Sequence, residues 1–178
     1  MKALIVFESM FGNTVAIAHA IGEGISPEMS VEVVEVSDAP AVIGDDIDLL
    51  AVGGPTHAFG MSRPSSRKSA ANQSSRGLVS TGEGIREWLA TLSKEHADVA
   101  AVAFDTRSAS PGWIRFMGTA GSGINKRLRK LGFRMVASPE HFLVVGTEGP
   151  LLDGEQERAR HWGANVAAAV TATGQRVS

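Results

Sequence analysis

The 178-residue sequence contains no cysteine and no tyrosine. Without cysteine the chain can form no disulfide, no thiolate nucleophile and no sulfur-ligated metal or iron–sulfur site. It also has no apolar run of the length that a membrane span requires, and the run near the N-terminus is too short for a signal peptide. We therefore expect a cytoplasmic protein without a membrane span.

Several familiar catalytic and metal-binding patterns are also missing. The five histidines show no spacing typical of a metal site. The chain has no nucleophile elbow of the G-x-S-x-G type, no P-loop, and no G-x-G-x-x-G motif after its first apolar run. The sequence thus predicts no metal site and identifies no catalytic acid–base pair.

The charges are distributed unevenly, although the net charge is only −2. Lys2 is the only lysine or arginine before Gly54, whereas basic residues dominate from Gly54 to Arg134. This pattern is typical either of solvated surfaces or of a docking surface for an anionic substrate or an acidic protein. A nucleic-acid partner is disfavoured, because the basic residues are not interleaved with aromatics and the chain is not basic overall.

The residues that are present favour a single α/β domain over 1–178, with 43% hydrophobic and 20% charged residues. Apolar runs predict strands at 2–7, 31–36, 48–53 and 98–105, and a fifth within 134–146. Helical periodicity predicts helices at 13–25, around 85–92, around 124–131 with Gly132 as its end, and after Asp153. This alternation indicates a doubly wound parallel sheet with helices on both faces.

One segment, about 54–82, does not fit this alternation. It is rich in serine, glycine and basic residues and is too long for an ordinary connection. We interpret it as a long loop, either functional, as a lid or partner-binding loop, or solvated and partly disordered. Ser80 followed by Glu83 has the spacing of a capping box for the next helix.

In a doubly wound sheet, ligands bind beyond the carboxyl ends of the strands. The loops at 8–14, 54–60 and 105–118 should therefore matter. In the first loop a strand gives way directly to a helix, whose N-terminal N–H groups suit a phosphate. Ser9, Asn13 and Thr14 add hydrogen-bonding groups, and Gly12 permits close approach. The alternative is that Asn13 or Thr14 simply caps the helix.

The run "LIVFESMFGNTVAIAHAI" at 4–21 resembles the N-terminal signature of the flavodoxin family. It has an aromatic at Phe7, a hydroxyl at Ser9, a small residue at Gly12 and then Thr14. The resemblance continues through "DLLAVGGPTHAFG" and "VAFDTR". It implies a five-stranded parallel sheet of order 2-1-3-4-5 that binds FMN, flavodoxin being the type example of this rule.

The resemblance also implies where FMN binds. The phosphate would lie on the first loop, made of Ser9, Met10, Phe11, Gly12, Asn13 and Thr14. The ring would lie between the second loop and the start of the third, made of Pro55, Thr56, His57, Ala58, Phe59, Gly60, Asp105, Thr106 and Arg107. Flavodoxins commonly stack a tyrosine on the ring, and here Trp113, Phe59 or His57 would have to replace it.

Two functions follow from the resemblance. The first is an electron-transfer flavoprotein that exchanges electrons with a redox partner protein. The second is an FMN-dependent oxidoreductase that acts on a quinone or similar ring substrate with NAD(P)H. Shuttle flavodoxins are typically acidic around the flavin, whereas these loops are basic, which favours an acidic partner or an anionic substrate. A domain of this fold without flavin is the third interpretation.

Overall fold

A computed structural model describes residues 1–57, 60–73, 77–93, 96–109 and 118–174. Its strands are β1 Lys2–Phe7, β2 Ser30–Glu35, β3 Leu49–Pro55, β4 Ala100–Ser108, β5 Arg134–Met135 and β6 Glu140–Val144. Its helices are α1 Asn13–Ile25, α2 Pro64–Gln73, α3 Ile85–Thr91, α4 Ala120–Lys130 and α5 Glu155–Gly174. The strands pair in parallel in the order β2-β1-β3-β4-β5, and β6 also pairs with β4. The predicted fold class and strand order are confirmed.

The predicted fifth strand is divided into two strands, β5 and β6, which both pair with β4. Arg134 of β5 pairs with Ala100 at the start of β4, and Glu140 of β6 pairs with Phe104 further along it. Pro139 lies in the gap and has no N–H to donate to a ladder. The long β4 therefore holds both pieces in one sheet position, and β6 reaches the carboxyl edge.

The sheet separates two apolar layers. Ala3 and Ile5 of β1 face the layer under α1 and α5, while Leu4 and Val6 face the layer under α3 and α4. This alternation follows from the two-residue period of a strand, and burial on both faces is typical of parallel sheets. Both layers therefore fix the carboxyl ends of the strands relative to one another.

Helices α1 and α5 approach each other so closely that side chains are excluded from their contact. A Cβ atom at Gly24 would lie 2.0 Å from the Arg160 carbonyl oxygen, and one at Gly163 would lie 2.4 Å from the Ile21 carbonyl oxygen. Beside this contact, Arg160 pairs with Glu23 at 2.7 Å. The two glycines thus let the backbones meet directly.

The segment expected to be a loop contains helix α2. Pro64 opens it, a position where the missing N–H costs no hydrogen bond. Ala70 is its only buried hydrophobic residue among those described, so no apolar stripe marked the helix in the sequence. The expectation of an irregular loop was wrong at Pro64–Gln73.

Two predicted helix starts were also wrong. Helix α3 begins after Gly84 rather than at Ser80, and the Glu87 carboxylate accepts a hydrogen bond from the Gly84 N–H at 3.0 Å. Ser80 instead accepts a hydrogen bond from a distant backbone group described below. Helix α5 begins at Glu155, one residue later than the predicted start directly after Asp153, and the Gly154 carbonyl accepts from the Arg158 N–H at 2.9 Å.

The predicted end of α4 is confirmed. The Gly132 N–H donates to the Arg129 carbonyl and the Phe133 N–H donates to the Leu128 carbonyl, both at 3.2 Å. These two bonds form the Schellman motif, with Phe133 buried as its hydrophobic contact. Across the part of the chain that the structure describes, no helix is both long and apolar enough to cross a membrane.

We expect the substitution Gly163→Ala to lower the free energy of unfolding by about 1–3 kcal/mol, because the new methyl group forces α5 away from α1. Urea denaturation monitored by circular dichroism measures this change. Gly123→Ala in α4 is the control, since its Cβ would meet only the end of the Met61 side chain at 3.3 Å. Equal unfolding midpoints for the two variants would contradict the close contact of α1 with α5.

Candidate functional site

Three loops and a fourth segment surround one cavity at the carboxyl edge of the sheet, which we call the edge cavity. Its volume is about 280 Å³. It is lined by Ser9, Met10, Phe11, Asn13, Thr14, Pro55, Thr56, His57, Thr106, Arg107, Ser108, Val144, Gly146 and Thr147. Residues from all three predicted loops therefore meet at one place, as the topology of the sheet requires.

The first loop is held by hydrogen bonds to its own serine and to a distant one. Gly12 has φ +92°, a left-handed conformation that glycine adopts without the steric cost of a Cβ. Its N–H donates to the Ser9 hydroxyl at 3.2 Å. The Ser9 N–H in turn donates to the Ser80 hydroxyl at 2.9 Å. These bonds fix the turn that aims the N-terminus of α1 at the edge cavity.

Helix α1 begins without a side-chain cap. Gly12 is the N-cap residue, and the first turn contains no acidic residue. Asn13 uses its side-chain amide to donate to the Glu148 carbonyl at 2.8 Å, and the Thr14 hydroxyl lies 2.8 Å from the Thr106 hydroxyl. The alternative that Asn13 or Thr14 only caps the helix is therefore wrong.

The N–H groups of the first turn of α1 are consequently open to a ligand. A helix leaves its first N–H groups without partners inside the helix, and these groups carry partial positive charge. No described residue accepts a hydrogen bond from the N–H groups of Asn13, Thr14 or Val15. A phosphate group satisfies such donors without a lysine or arginine. The residues present thus fit the phosphate of a nucleotide-like cofactor.

Hydrogen bonds join the two ends of the second loop to each other and join its start to the end of β4. The N–H groups of His57 and Gly60 donate to each other's carbonyls at 2.9 and 3.0 Å. The Thr56 N–H donates to the Thr106 carbonyl at 2.9 Å. Burial, with a smaller effect from the Arg67 charge, lowers the pKa of His57. His57 therefore presents a neutral, flat imidazole to the edge cavity at neutral pH.

Asp105 is not among the residues that line the edge cavity. Its carboxylate is fully buried and accepts a hydrogen bond from the Gly121 N–H at 2.7 Å. The other carboxylate oxygen lies 3.0 Å from Nδ1 of His141. Asp105 thus connects β4 with α4 and β6 and does not line the edge cavity. A role for Asp105 in cofactor binding stays a prediction.

Five other residues were predicted to bind the cofactor but are not seen in the lining of the edge cavity. Gly12 and Gly60 shape their loops but are not among the lining residues. Ala58, Phe59 and Trp113 lie outside the described residues. The choice among Trp113, Phe59 and His57 as the aromatic on the ring stays a prediction.

The sequence interpretation missed a fourth segment of the cavity wall. This segment consists of Val144 at the end of β6 and of Gly146 and Thr147 after it. The signal was available in "VVGTEG", which comes after the last predicted strand. The carboxyl end of every parallel strand lies at the same edge, so the rule that pointed to three loops applies to this one as well.

Glu8, immediately before the first loop, is a buried carboxylate with 1% of its surface exposed. It accepts hydrogen bonds from the Ser62 hydroxyl and, at 3.0 Å, from the Ile85 N–H. Arg67 donates both to the Ser62 hydroxyl at 2.9 Å and to the Glu87 carboxylate at 3.1 Å. Glu8 therefore ties α2 and α3 to the end of β1.

Burial raises the pKa of Glu8, although the hydrogen bonds from Ser62 and Ile85 oppose this shift. The folded protein thus holds the Glu8 proton more tightly than the unfolded chain does. The resulting contribution to stability is complete below the ordinary pKa of glutamate and is lost as pH rises through the raised value.

We expect the Glu8→Gln variant to lose less stability than the unaltered protein when pH is raised from about 4 to about 8. Urea unfolding midpoints across this range measure the difference. Glu28→Gln, at an exposed position, is the control and should follow the unaltered protein. Identical pH profiles for all three proteins would contradict the burial of a titrating Glu8.

The comparisons with known proteins agree with the fold described above. The family model described as Flavodoxin matches residues 5–162. A flavodoxin from the domain Archaea is 23% identical, with a TM-score of 0.63 over 96% of this chain and 99% of that one. Oxidised Flavodoxin 1 from Bacillus cereus is 19% identical, with a TM-score of 0.66 over 94% and 98%. At these identities the structures show the shared fold.

A larger protein contains the same fold as one part. The rubredoxin:oxygen oxidoreductase of Desulfovibrio gigas is 19% identical, with a TM-score of 0.61 over 96% of this chain and 36% of that one. A comparison with curated protein sequences finds no match. Because the family model covers most of the chain, including all the strands after the first few residues of β1, this protein belongs to the flavodoxin family, whose cofactor is FMN.

Proposed function

We propose that this protein is an FMN-binding electron carrier that exchanges electrons with a redox partner protein in the cytoplasm. The observation that carries the proposal is the uncapped N-terminus of α1, whose free N–H groups open onto a cavity with no carboxylate in its wall. FMN supplies the redox chemistry when it is bound. The residues of the chain hold it, orient it and set the charge around it.

The FMN phosphate belongs at the first turn of α1 in this proposal. The N–H groups of Asn13, Thr14 and Val15 donate to it, and the hydroxyl groups of Ser9 and Thr14 line the same place. The helix dipole supplies the favourable field, so the absence of lysine and arginine from residues 8–14 presents no difficulty. The fixed turn at Gly12 keeps these donors in position before FMN binds.

The ring belongs between the second and third loops. Pro55 and His57 offer flat, uncharged surfaces on one side, and Thr106 and Arg107 lie on the other. The Thr56 N–H donates to the Thr106 carbonyl at 2.9 Å, which joins the starts of these two loops. FMN held there with one ring edge exposed would pass electrons to a partner without a catalytic side chain.

An acidic partner suits the charges beside this edge. Lys68 of α2 is exposed, and so is Arg63 immediately before this helix. Helix α2 begins at Pro64, four residues after Gly60 of the second loop, and the proposal puts these charges beside the edge cavity. Complementary charge steers association and orients the partner.

An FMN-dependent oxidoreductase acting on a quinone-like substrate is the second candidate. A neighbouring cavity of about 530 Å³ shares Arg107 and Ser108 with the edge cavity and offers room for a substrate beside the ring. Anaerobic mixing of the FMN-loaded protein with NADPH or NADH separates the two functions. Rapid loss of flavin absorbance with the nucleotide alone indicates the oxidoreductase, and loss only after a separate reductase is added indicates the carrier.

We expect Thr14→Val to weaken FMN binding by roughly tenfold or more, because a hydrogen bond to a charged phosphate is lost. Riboflavin, which lacks the phosphate, should bind both proteins equally. Quenching of flavin fluorescence gives the dissociation constants. Thr171→Val is the matched control, since the Thr171 hydroxyl bonds only to carbonyls of its own helix. An equal loss of riboflavin binding would contradict this position for the phosphate.

We expect the double substitution Arg63→Glu and Lys68→Glu to slow electron transfer from the reduced protein to ferricyanide and to speed transfer to hexaammineruthenium(III), because the first acceptor is an anion and the second a cation. Stopped-flow measurements should show both effects shrinking as salt is added. Arg129→Glu with Lys130→Glu, at the far end of α4, is the control. Equal rate changes in the two double variants would contradict a basic surface beside the ring.

A further inference from the structure

The edge cavity has an unusual balance of charge. Its fourteen lining residues include no aspartate or glutamate, and Arg107 is the only lysine or arginine among them. His57, the other basic side chain, is held neutral by its lowered pKa. Among the residues that the structure describes, the wall of the cavity therefore carries one positive charge and no negative one.

The charge of Arg107 is not neutralised by the described residues around it. Asp105, two residues earlier on β4, bonds to Gly121 and His141. No described side chain or backbone group forms a hydrogen bond or an ion pair with the Arg107 guanidinium. The half-buried Arg107 thus faces the edge cavity as an uncompensated cation.

The acids of the neighbouring cavity are already paired with another arginine. Glu140 and Glu155 both form ion pairs with Arg158, the latter at 2.7 Å. Arg158 also donates to the His141 carbonyl. Glu148, the acid closest in sequence to the fourth segment, is exposed, and its backbone carbonyl accepts from Asn13. The local arrangement of ion pairs thus leaves Arg107 free for a ligand.

We propose that Arg107 stabilises the two-electron-reduced form of bound FMN and so raises the reduction potential of this protein. The inference rests on the proposed function. Reduction adds two electrons and one proton to oxidised FMN, the proton going to N5, and it leaves one additional negative charge on the pyrimidine part of the ring. The redox partner supplies the electrons and solvent supplies the proton. A cation beside that part of the ring favours the reduced form.

With this role, the relative affinity of the protein for reduced and oxidised FMN determines the two-electron midpoint potential. If Arg107 binds reduced FMN tenfold more tightly relative to oxidised FMN, the two-electron midpoint potential is higher by about 30 mV. A cation that contacted the phosphate would strengthen the binding of both forms equally and would leave the potential unchanged. The two positions of the guanidinium are therefore distinguishable by measurement.

The test compares Arg107→Gln, Arg107→Lys and the control Arg129→Gln, each loaded with FMN. Arg129 is exposed near the end of α4, far from the carboxyl edge, and its substitution removes the same charge. Anaerobic titration with dithionite against a reference dye gives the midpoint potential, and fluorescence titrations give the dissociation constants for oxidised FMN and for riboflavin. Thermal unfolding verifies that the variants are folded.

We expect Arg107→Gln to lower the two-electron potential by about 30 mV or more, which corresponds to a tenfold change in relative affinity. Its affinity for oxidised FMN should change less than threefold. Arg107→Lys and Arg129→Gln should keep the original potential within a few millivolts.

Two results would overturn the inference. One is an unchanged potential in an Arg107→Gln variant that still binds FMN. The other is a loss of FMN affinity without a loss of riboflavin affinity, which would place the guanidinium at the phosphate. Failure of the unaltered protein to bind FMN is a separate result, because it would overturn the proposed function itself.

Discussion

The uncapped start of helix α1 is the constraint on which the rest of the site depends. A helix usually satisfies its first N–H groups with a side chain at the N-cap, which stabilises it by about 1 kcal/mol. Here Gly12 stands at that position, and its left-handed backbone makes the Ser9 hydroxyl an acceptor for the Gly12 N–H rather than for the helix. The helix thus forgoes a stabilising cap. Its free donors become available only because the turn that precedes them is rigid.

That rigidity is supplied from far along the chain. Ser80 accepts from the Ser9 N–H, and Glu8 accepts from Ser62 and from the N-terminus of α3. Burying a carboxylate is costly, and its several donors offset only part of the cost. These hydrogen bonds attach the segment between β3 and α3 to the loop that faces the edge cavity. The unusual position of an acid at the end of a buried strand is therefore explained by the need to hold this loop.

The sequence predicted those parts of the fold that depend on local pattern. The bounds of α1 at Asn13–Ile25 and the Schellman end of α4 follow from apolar spacing and from glycine, which act over a few residues. Helix α2 was not predictable in this way, because Arg67 holds it to Ser62 and Glu87 by polar contacts that depend on the tertiary fold. Ser80 has the spacing of a cap, yet its hydroxyl serves a partner 71 residues away. Such a pairing leaves no local signal, and neither does the contact of the His141 imidazole with the Asp105 carboxylate.

The fold distributes the basic residues of the sequence over two different surfaces. Arg127, Arg129 and Lys130 lie in the last turn of α4, at the amino edge of the sheet, where they complement the negative end of the helix dipole. These three residues therefore need no explanation beyond a solvated surface. Arg107 lies instead in the wall of the edge cavity, where the described lining contains no carboxylate. An electrostatic field acts strongly only where it reaches the ligand, because salt screens exposed charges beyond about 10 Å. The position of the basic residues, rather than their number, therefore determines how this protein differs electrostatically from an acidic shuttle of the same fold.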